Sequence, residues 1–534
     1  MVIYSPTMRC LVVVTALAGC DGGGAGSLEL TLTLPTQAEL RPSGMTTVTI
    51  TATAPGESPF STTSEIANNR FAAGDLPVGT DVQVSVVLRD VSNRIVGVGE
   101  AGQTVDIVGD QATQIEIPVR RPFVYAASGA SLYSFDPTLD PRDDKFQGVV
   151  TGVTNPQFTV SVGGDRLAVI GGTQVHVIVT ATNTVSGAIQ VPGGARDATA
   201  VPGTHKLAIA HDSGITIVDL DASSAQTANV GPVDRVTVGV DAAGALVAYG
   251  LVGRVAPPET PYAMCTGSSS FVAVAVDSPE VATPVALGTE VSDLAASPDT
   301  PQLFATLPCD NQLARVGGAI EGTGIALSKL ADLERAAVVT VAGDRVWAAG
   351  MKQSSPTCTN PGGTCSPTTS IQCPVTSNTD RLRWVTDGAS VIIESVPLTD
   401  GAPIRLDVPD QRETIIDTSD AALQHAQVLK ALGAVPLDLV VLPGGQYVGL
   451  VMKSRYYVED ADPFLPCLDV TTGDWLLVDM ASSSVAQRVR TACTGRVSPQ
   501  VPQWVCEDPP NGQRRATGID PYMPTSVGAL FGAR

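Results

Sequence analysis

The chain has 534 residues, 43% of them apolar, 16% charged and 4% aromatic, with 52 Gly, 39 Pro and a formal net charge of −21. That length suits about two or three domains. Sparse charge with abundant Gly and Pro favours turn-rich β architecture over helical bundles, and the acidity argues against nucleic acid as a partner, because phosphate repels such a chain.

Residues 1–20 read MVIYSPTMRCLVVVTALAGC. Arg9 forms a short positive region, and the apolar stretch Leu11 to Leu17 falls short of the roughly 20 residues that a membrane span needs. The stretch ends in Leu17-Ala18-Gly19-Cys20, which resembles the lipobox of bacterial lipoproteins. The resemblance implies that the Cys20 thiol receives a diacylglyceryl group and that the chain is then cut before it. Residues 1–19 would be a lipoprotein signal peptide, and translation from Met8 would leave the same box. Residues 20–27 would be the lipidated Cys and a flexible tether, since DGGGAGS offers no side chains to pack. Removal of residues 1–19 takes away Arg9 and no acid. The acylated end, palmitate-type chains included, would hold the protein to a bilayer. That places it in a bacterial cell envelope: the outer membrane, its periplasmic side or the cell surface. The rival reading is an ordinary secretory signal with an incidental Cys.

Residues 28–121 show period-2 alternation. Leu28, Leu30, Leu32 and Leu34 alternate with polar residues, and so do Val48, Ile50 and Ala52, then Val82, Val84 and Val86, Val105 and Ile107, and Ile115 and Ile117. Turn signals separate the runs. This predicts short strands forming an Ig-like β-sandwich without a disulfide, ending at Arg120-Arg121-Pro122.

Residues 122–534 are repetitive. DRLAVIGGTQVHVIVTATNTVSGAIQV (165–191) and HKLAIAHDSGITIVDLDASSAQTANV (205–230) share a strand, a Gly-bearing turn, a second strand, a polar turn and a third strand. Looser copies follow, and FVYAASGASLYSFD (123–136) opens the series. The pattern resembles the YVTN or WD40-like repeats of bacterial β-propellers, in which each blade is a four-stranded antiparallel sheet. The resemblance implies about seven blades, with six or eight as alternatives. GIDPYMPTSVGALFG (518–532) looks like the strand that precedes each repeat, yet nothing follows it. A ring accommodates this if the last segment completes the blade begun by 123–136. The alternative is further β-sandwiches in tandem. The expected fold is therefore all-β: an Ig-like sandwich followed by a propeller.

Insertions are expected at 353–382, a Ser/Thr/Pro/Gly-rich loop, and at 410–435. The latter contains TSDAALQHAQVLKAL (418–432), which predicts a short helix capped by Thr418 or Ser419 and stopped by Gly433. Of ten Cys, Cys10 and Cys20 lie at the N-terminus. The others, Cys265, Cys309, Cys358, Cys365, Cys373, Cys467, Cys493 and Cys506, are even in number, which in an exported chain points to disulfides rather than a metal site, since there is no CxxC pair. Spacing does not fix the connectivity. The pairings expected are Cys265–Cys309 and Cys493–Cys506, with Cys358, Cys365 and Cys373 partly paired among themselves.

The four histidines, His176, His205, His211 and His425, have no metal-ligand spacing. His176 alternates with Val175 and Val177 and is expected to face a groove or solvent. Two acidic loops, Asp136/Asp140/Asp143/Asp144 and Glu459/Asp460/Asp462, offer hard oxygen ligands but lack the spacing of a compact Ca²⁺ loop. No P-loop, GxSxG elbow or catalytic triad is legible. Trp347 and Trp475 sit in strand patterns and are expected in the core; Trp384 and Trp504 complete the set. No metal, cofactor or catalytic residue is predicted. The expectation is a lipid-anchored protein whose propeller serves as a non-catalytic binding or scaffolding platform for an envelope protein or glycan. Two alternatives stay open: a propeller hydrolase or lactonase, and a surface adhesin.

Overall fold

The computed structural model describes residues 9–13, 357–359, 383–385, 389–398, 401–409, 413–415, 427–441, 447–459, 468–480, 483–496 and 527–529, together with 27–353 except for 36–40, 55–59, 67–77, 94, 102, 110–111, 129–130, 136–146, 163–165, 180–183, 256–266, 281–282 and 318–324. Among these residues every regular element is a β-strand.

The N-terminal unit holds β1 (Arg9–Val13), β2 (Ser27–Thr33), β3 (Thr47–Thr53), β4 (Phe60–Glu65), β5 (Gly79–Arg89), β6 (Ile95–Glu100), β7 (Val105–Ile107) and β8 (Ala112–Arg120). Their hydrogen-bonded order is β1-β2-β8-β6-β5-β3-β4, with β7 on β5. The alternation read from the sequence is realised: Leu28, Leu30 and Leu32 of β2 are buried, while the residues between them are half-exposed. Those leucines share one apolar core with Val48 and Ile50 of β3, Val84 and Val86 of β5 and Ile115 and Ile117 of β8. Because β2 and β3 lie far apart in the strand order, the sheet folds over on itself. It turns between β6 and β8, which meet only through Val98↔Arg120 and Gly99↔Val119. A Cβ at Gly99 would lie 2.5 Å from the Pro118 carbonyl oxygen, so this corner requires glycine. β2 and β8 are parallel. On its other side β2 is antiparallel to β1, from Arg9↔Thr33 to Val13↔Glu29. Part of the expected leader thus lies on the sheet edge in the full-length chain.

The rest of the chain begins with β9 (Val124–Ser128), β10 (Ser131–Phe135) and β11 (Gln147–Val150). Four complete sheets follow: β12 (Phe158–Val162) to β13 (Arg166–Gly171), β14 (Gln174–Val179) and β15 (Thr184–Gln190); β16 (Ala195–Ala200) to β17 (Lys206–His211), β18 (Gly214–Asp219) and β19 (Ser224–Ala228); β20 (Arg235–Val240) to β21 (Leu246–Val252), β22 (Ser270–Ala275) and β23 (Val285–Ala286); and β24 (Asp293–Ala296) to β25 (Leu303–Leu307), β26 (Gln312–Gly317) and β27 (Ala326–Asp332). The next comprises β28 (Val338–Ala342), β29 (Arg345–Gln353), β32 (Ala389–Pro397) and β33 (Ile404–Pro409), with the short pair β30 (Thr357–Thr359) and β31 (Arg383–Val385) between β29 and β32. A five-stranded sheet runs β34 (Glu413–Ile415), β35 (Gln427–Val441), β36 (Tyr447–Glu459), β37 (Leu468–Asp479) and β38 (Ser484–Arg496). Finally β39 (Val527–Ala529) pairs antiparallel with β9, completing a four-stranded sheet β11-β10-β9-β39.

The chain therefore forms a β-propeller of six four-stranded blades, where the repeat count suggested about seven. The innermost strands β39, β12, β16, β20, β24 and β28 lie side by side in that order, and β35 touches both β28 and β39. Each gap between blades has its own apolar filling. Val175 and Val177 of the second blade meet Leu207 and Ile209 of the third, and Phe304 of the fifth meets Val346 and Ile392 of the sixth. Burial of each such side chain contributes roughly 1.5–3 kcal/mol. Trp347 is 2% exposed and packs between the sixth blade and the five-stranded sheet, as its strand pattern suggested.

The helix expected over 418–432 is corrected where the structure describes it: residues 427–432 belong to β35. Twelve register pairs with β36 outweigh local helix propensity. Gly433, read as a helix stop, instead falls at a register shift, and Pro436 falls at a second one. The predicted 353–382 loop begins at the end of the second strand of the sixth blade; residues 354–356 and 360–382 lie outside the described residues.

Candidate functional site

In a blade, the innermost strand starts at one end of the ring, and the second and fourth strands finish there. This end carries the axial charges, because the innermost strands begin with ionisable residues: Arg196 and Asp197 at β16, Asp234 and Arg235 at β20, Asp293 at β24, and Asp438 within β35.

Arg235 is the hub. Its Nη1 donates to Asp197 Oδ1 at 3.2 Å, and its Nε lies 3.9 Å from Asp293 Oδ1. Its Nη2 donates to the Leu437 carbonyl at 3.3 Å, a bond that spans the axis from β20 to β35. The side chains of Arg235, Asp197 and Asp293 are only 15%, 16% and 14% exposed. Burial alone would lower the Arg235 pKa, but Asp197, Asp293 and Asp438 more than reverse it, so the guanidinium is held firmly charged. Burial pushes the Asp293 carboxyl up to about 6, helped by Asp197 and opposed by Arg235 and the Val339 N–H. Burial and the nearby Arg235 lower the pKa of Arg254, whose Nε donates to the Ser292 carbonyl at 2.8 Å.

The carboxylates also join blades. Asp197 Oδ2 accepts the Val236 N–H at 2.9 Å, and Asp293 Oδ2 accepts the Val339 N–H at 3.0 Å, each on the innermost strand of the following blade. Arg196 bonds Asp212 on its own blade at 2.8 Å and Asp234 on the next. Those two hydrogen bonds raise the Arg196 pKa. This constellation has no linear motif. Its only local trace is the reversed dipeptide, Arg196-Asp197 against Asp234-Arg235, at two successive strand starts.

The histidines are structural where they are described. His176 is 5% exposed, not turned to a groove or solvent as expected; its ring Nε2 lies 3.4 Å from Thr154 Oγ1, and burial lowers its pKa. His211 is fully buried, and burial lowers its pKa also. The Ser213 N–H donates to its Nδ1, so Nε2 carries the proton and donates to Thr216 Oγ1 at 2.8 Å, which in turn bonds Thr227. His205 pairs with Asp221 at 2.9 Å, and Asp221 also binds Arg166 of the neighbouring blade. His425, Trp504, the loop of Asp136, Asp140, Asp143 and Asp144, and Asp460 and Asp462 lie outside the described residues, while Glu459 ends β36. Among the described residues no group of three or more potential ligands could hold a metal ion.

Cys309 is disulfide-bonded. Cys358 lies in β30 and Cys493 near the end of β38; Cys20, Cys265, Cys365, Cys373, Cys467 and Cys506 lie outside the described residues. Of the described cysteines, Cys309 lies between the second and third strands of the fifth blade and Cys358 between the second and third strands of the sixth, the end of the ring that carries the axial charges.

No protein-family model matches the chain, and no curated protein matches it. Among solved structures it is similar to Kuenenia stuttgartiensis hydrazine synthase at 13% identity, over 58% of this chain and 80% of that one, with a TM-score of 0.34. It is similar to the Cps50 (Swd1) β-propeller domain of Myceliophteria thermophila at 9% identity, over 63% and 86%, with a TM-score of 0.35. The RRP9 WD40 repeats align at 10% identity over 42% and 83%, with a TM-score of 0.26. These values are too low to carry function. The strand topology of this chain itself defines a β-propeller protein with a separate all-β unit before it.

Proposed function

We propose that this is a lipid-anchored envelope protein, held to the bilayer through acylated Cys20, whose propeller is a non-catalytic platform for an envelope protein or glycan. The observation that carries the platform reading is how Arg235 is used. Its guanidinium and the surrounding carboxylates are engaged with one another and with backbone groups of neighbouring blades, which makes a rigid axial support rather than a reaction centre. Variable connections on a rigid scaffold are where binding residues concentrate. In this reading the five-stranded sheet acts as a seventh blade, the N-terminal unit is an Ig-like sandwich that spaces the ring from the membrane, and Cys309 pairs with Cys265. The lipobox at Leu17–Cys20 supports the anchor. Crosslinking in the native envelope followed by affinity capture tests the whole: a dominant partner, lost in Cys20→Ala, is expected, and defined turnover by the purified chain would sink the platform reading.

One observation favours the hydrolase reading. Asp293 sits at the axis with a pKa raised to about 6, as a general acid requires. Against it, Oδ1 of Asp293 accepts the Leu294 N–H and Oδ2 the Val339 N–H, so both oxygens already serve the backbone.

A further inference from the structure

We infer that the edge of β2 occupied by β1 in the full-length chain becomes, after cleavage before Cys20, the contact through which two copies of this protein pair. The inference rests on the lipoprotein reading, because that reading removes residues 1–19. Without β1, strand β2 ends the order of the N-terminal sheet, with only β8 beside it. Exposed edges are ordinarily blunted by proline, lysine or a bulge. Residues 27–33 (SLELTLT) contain neither proline nor lysine, and the register runs without a shift against β8 from Ser27↔Ala112 to Thr33↔Pro118.

The seat is antiparallel and already shown in use. Leu30 and Leu32, whose side chains enter the core, stand opposite Val12 and Cys10, while Glu29, Thr31 and Thr33 stand opposite Val13, Leu11 and Arg9. A two-fold axis makes a second β2 antiparallel automatically. Centred on Leu30, such a pairing sets Leu28 against Leu32, Glu29 against Thr31 and Ser27 against Thr33. Apolar residues meet apolar residues on the core side, and no two glutamates face each other. Cross-strand pairing rewards this arrangement. A sheet edge extended by another chain's strand is an ordinary mode of association.

The test compares two forms by light scattering at micromolar concentration: the processed chain beginning at residue 20, and the uncut Cys20→Ala chain that retains β1. The processed chain is expected to be dimeric and the uncut chain monomeric. With oxidised glutathione as the oxidant, mixing processed Cys20→Ser chains that carry Glu29→Cys with processed Cys20→Ser chains that carry Thr31→Cys should give disulfide-linked dimers about 10-fold faster than either alone. A processed chain that stays monomeric overturns the inference, as does equal dimerisation of both forms or equal crosslinking of Glu29→Cys with itself. Mass analysis of the native N-terminus separates the two layers. A chain that keeps residues 1–19 in the cell would sink the lipid-anchor reading, leaving the edge to be judged by the light-scattering result on the chain made from residue 20.

Discussion

Asp197 on the third blade reaches the innermost strand of the fourth, where its Oδ2 accepts the backbone N–H of Val236 at 2.9 Å while its Oδ1 accepts from Arg235. One carboxylate thus fixes both the spacing of two blades and the position of the axial guanidinium. Removing it takes the acceptor from the Val236 N–H and from Nη1 of a largely buried guanidinium, which keeps only the Leu437 carbonyl and the more distant Asp293. Asp197→Ala should cost about 2–4 kcal/mol in denaturant unfolding, and Asp197→Asn, which keeps an acceptor, about half of that. A loss of a few tenths for the alanine variant would show that the clasp carries little.

Asp293 gives stability a distinctive dependence on pH. Its folded pKa of about 6 lies above the ordinary 3.8. A carboxyl raised on folding contributes stability that is fully present below the unfolded value and lost as pH rises through the folded one. Urea midpoints should therefore carry a falling component between pH 4 and 6, of order 1–3 kcal/mol. Asp293→Asn should flatten that component, and an unchanged profile would count against the burial of this carboxyl.

His211 works in the opposite sense. Burial lowers its pKa, so the neutral ring contributes stability that is present above the ordinary value of 6.5 and lost as pH falls through the depressed folded value. His211→Ala should cost about 2–4 kcal/mol at pH 7.5, through a cavity and the lost bond to Thr216. The penalty should shrink on acidification below pH 6, which thermal melts of the two chains across that range would read.

Truncation after Ser526 removes β39 and leaves the inner edge of β9 unpaired. Amide exchange over Val124–Ser128 should accelerate by about 100-fold or more relative to β17 and β18. Equal protection in both chains would mean that β39 does not close the ring.

Much of this architecture could be read from the chain. The repeats at 165–191 and 205–230 become β13–β15 and β17–β19, and the orphan strand near the C-terminus does complete the sheet opened by β9. Position of side chains was harder. Alternation suggested an outward His176, but a blade is covered on both faces by its neighbours. Strands such as Arg166–Gly171 and Gln174–Val179 are therefore buried almost throughout, and period-2 logic fails in them. The 418–432 stretch misled for a related reason: Gly433 and Pro436 are absorbed by irregularities in a long strand, which propensity cannot distinguish from a helix end. The axial cluster escaped because Asp197, Arg235, Asp293 and Asp438 come from different blades, and only the ring brings them together.

Closure through β39 also bears on how the protein is made. A chain delivered N-terminus first produces β9, β10 and β11 early, yet their sheet stays open on its inner side until residue 527 arrives. Every intervening blade can stack in turn while the first one waits. A product stopped short by a truncated message or an early nick therefore keeps a permanent unpaired edge, open to proteases and to wrong partners. Synthesis through β39 is thus itself a condition for a sealed ring.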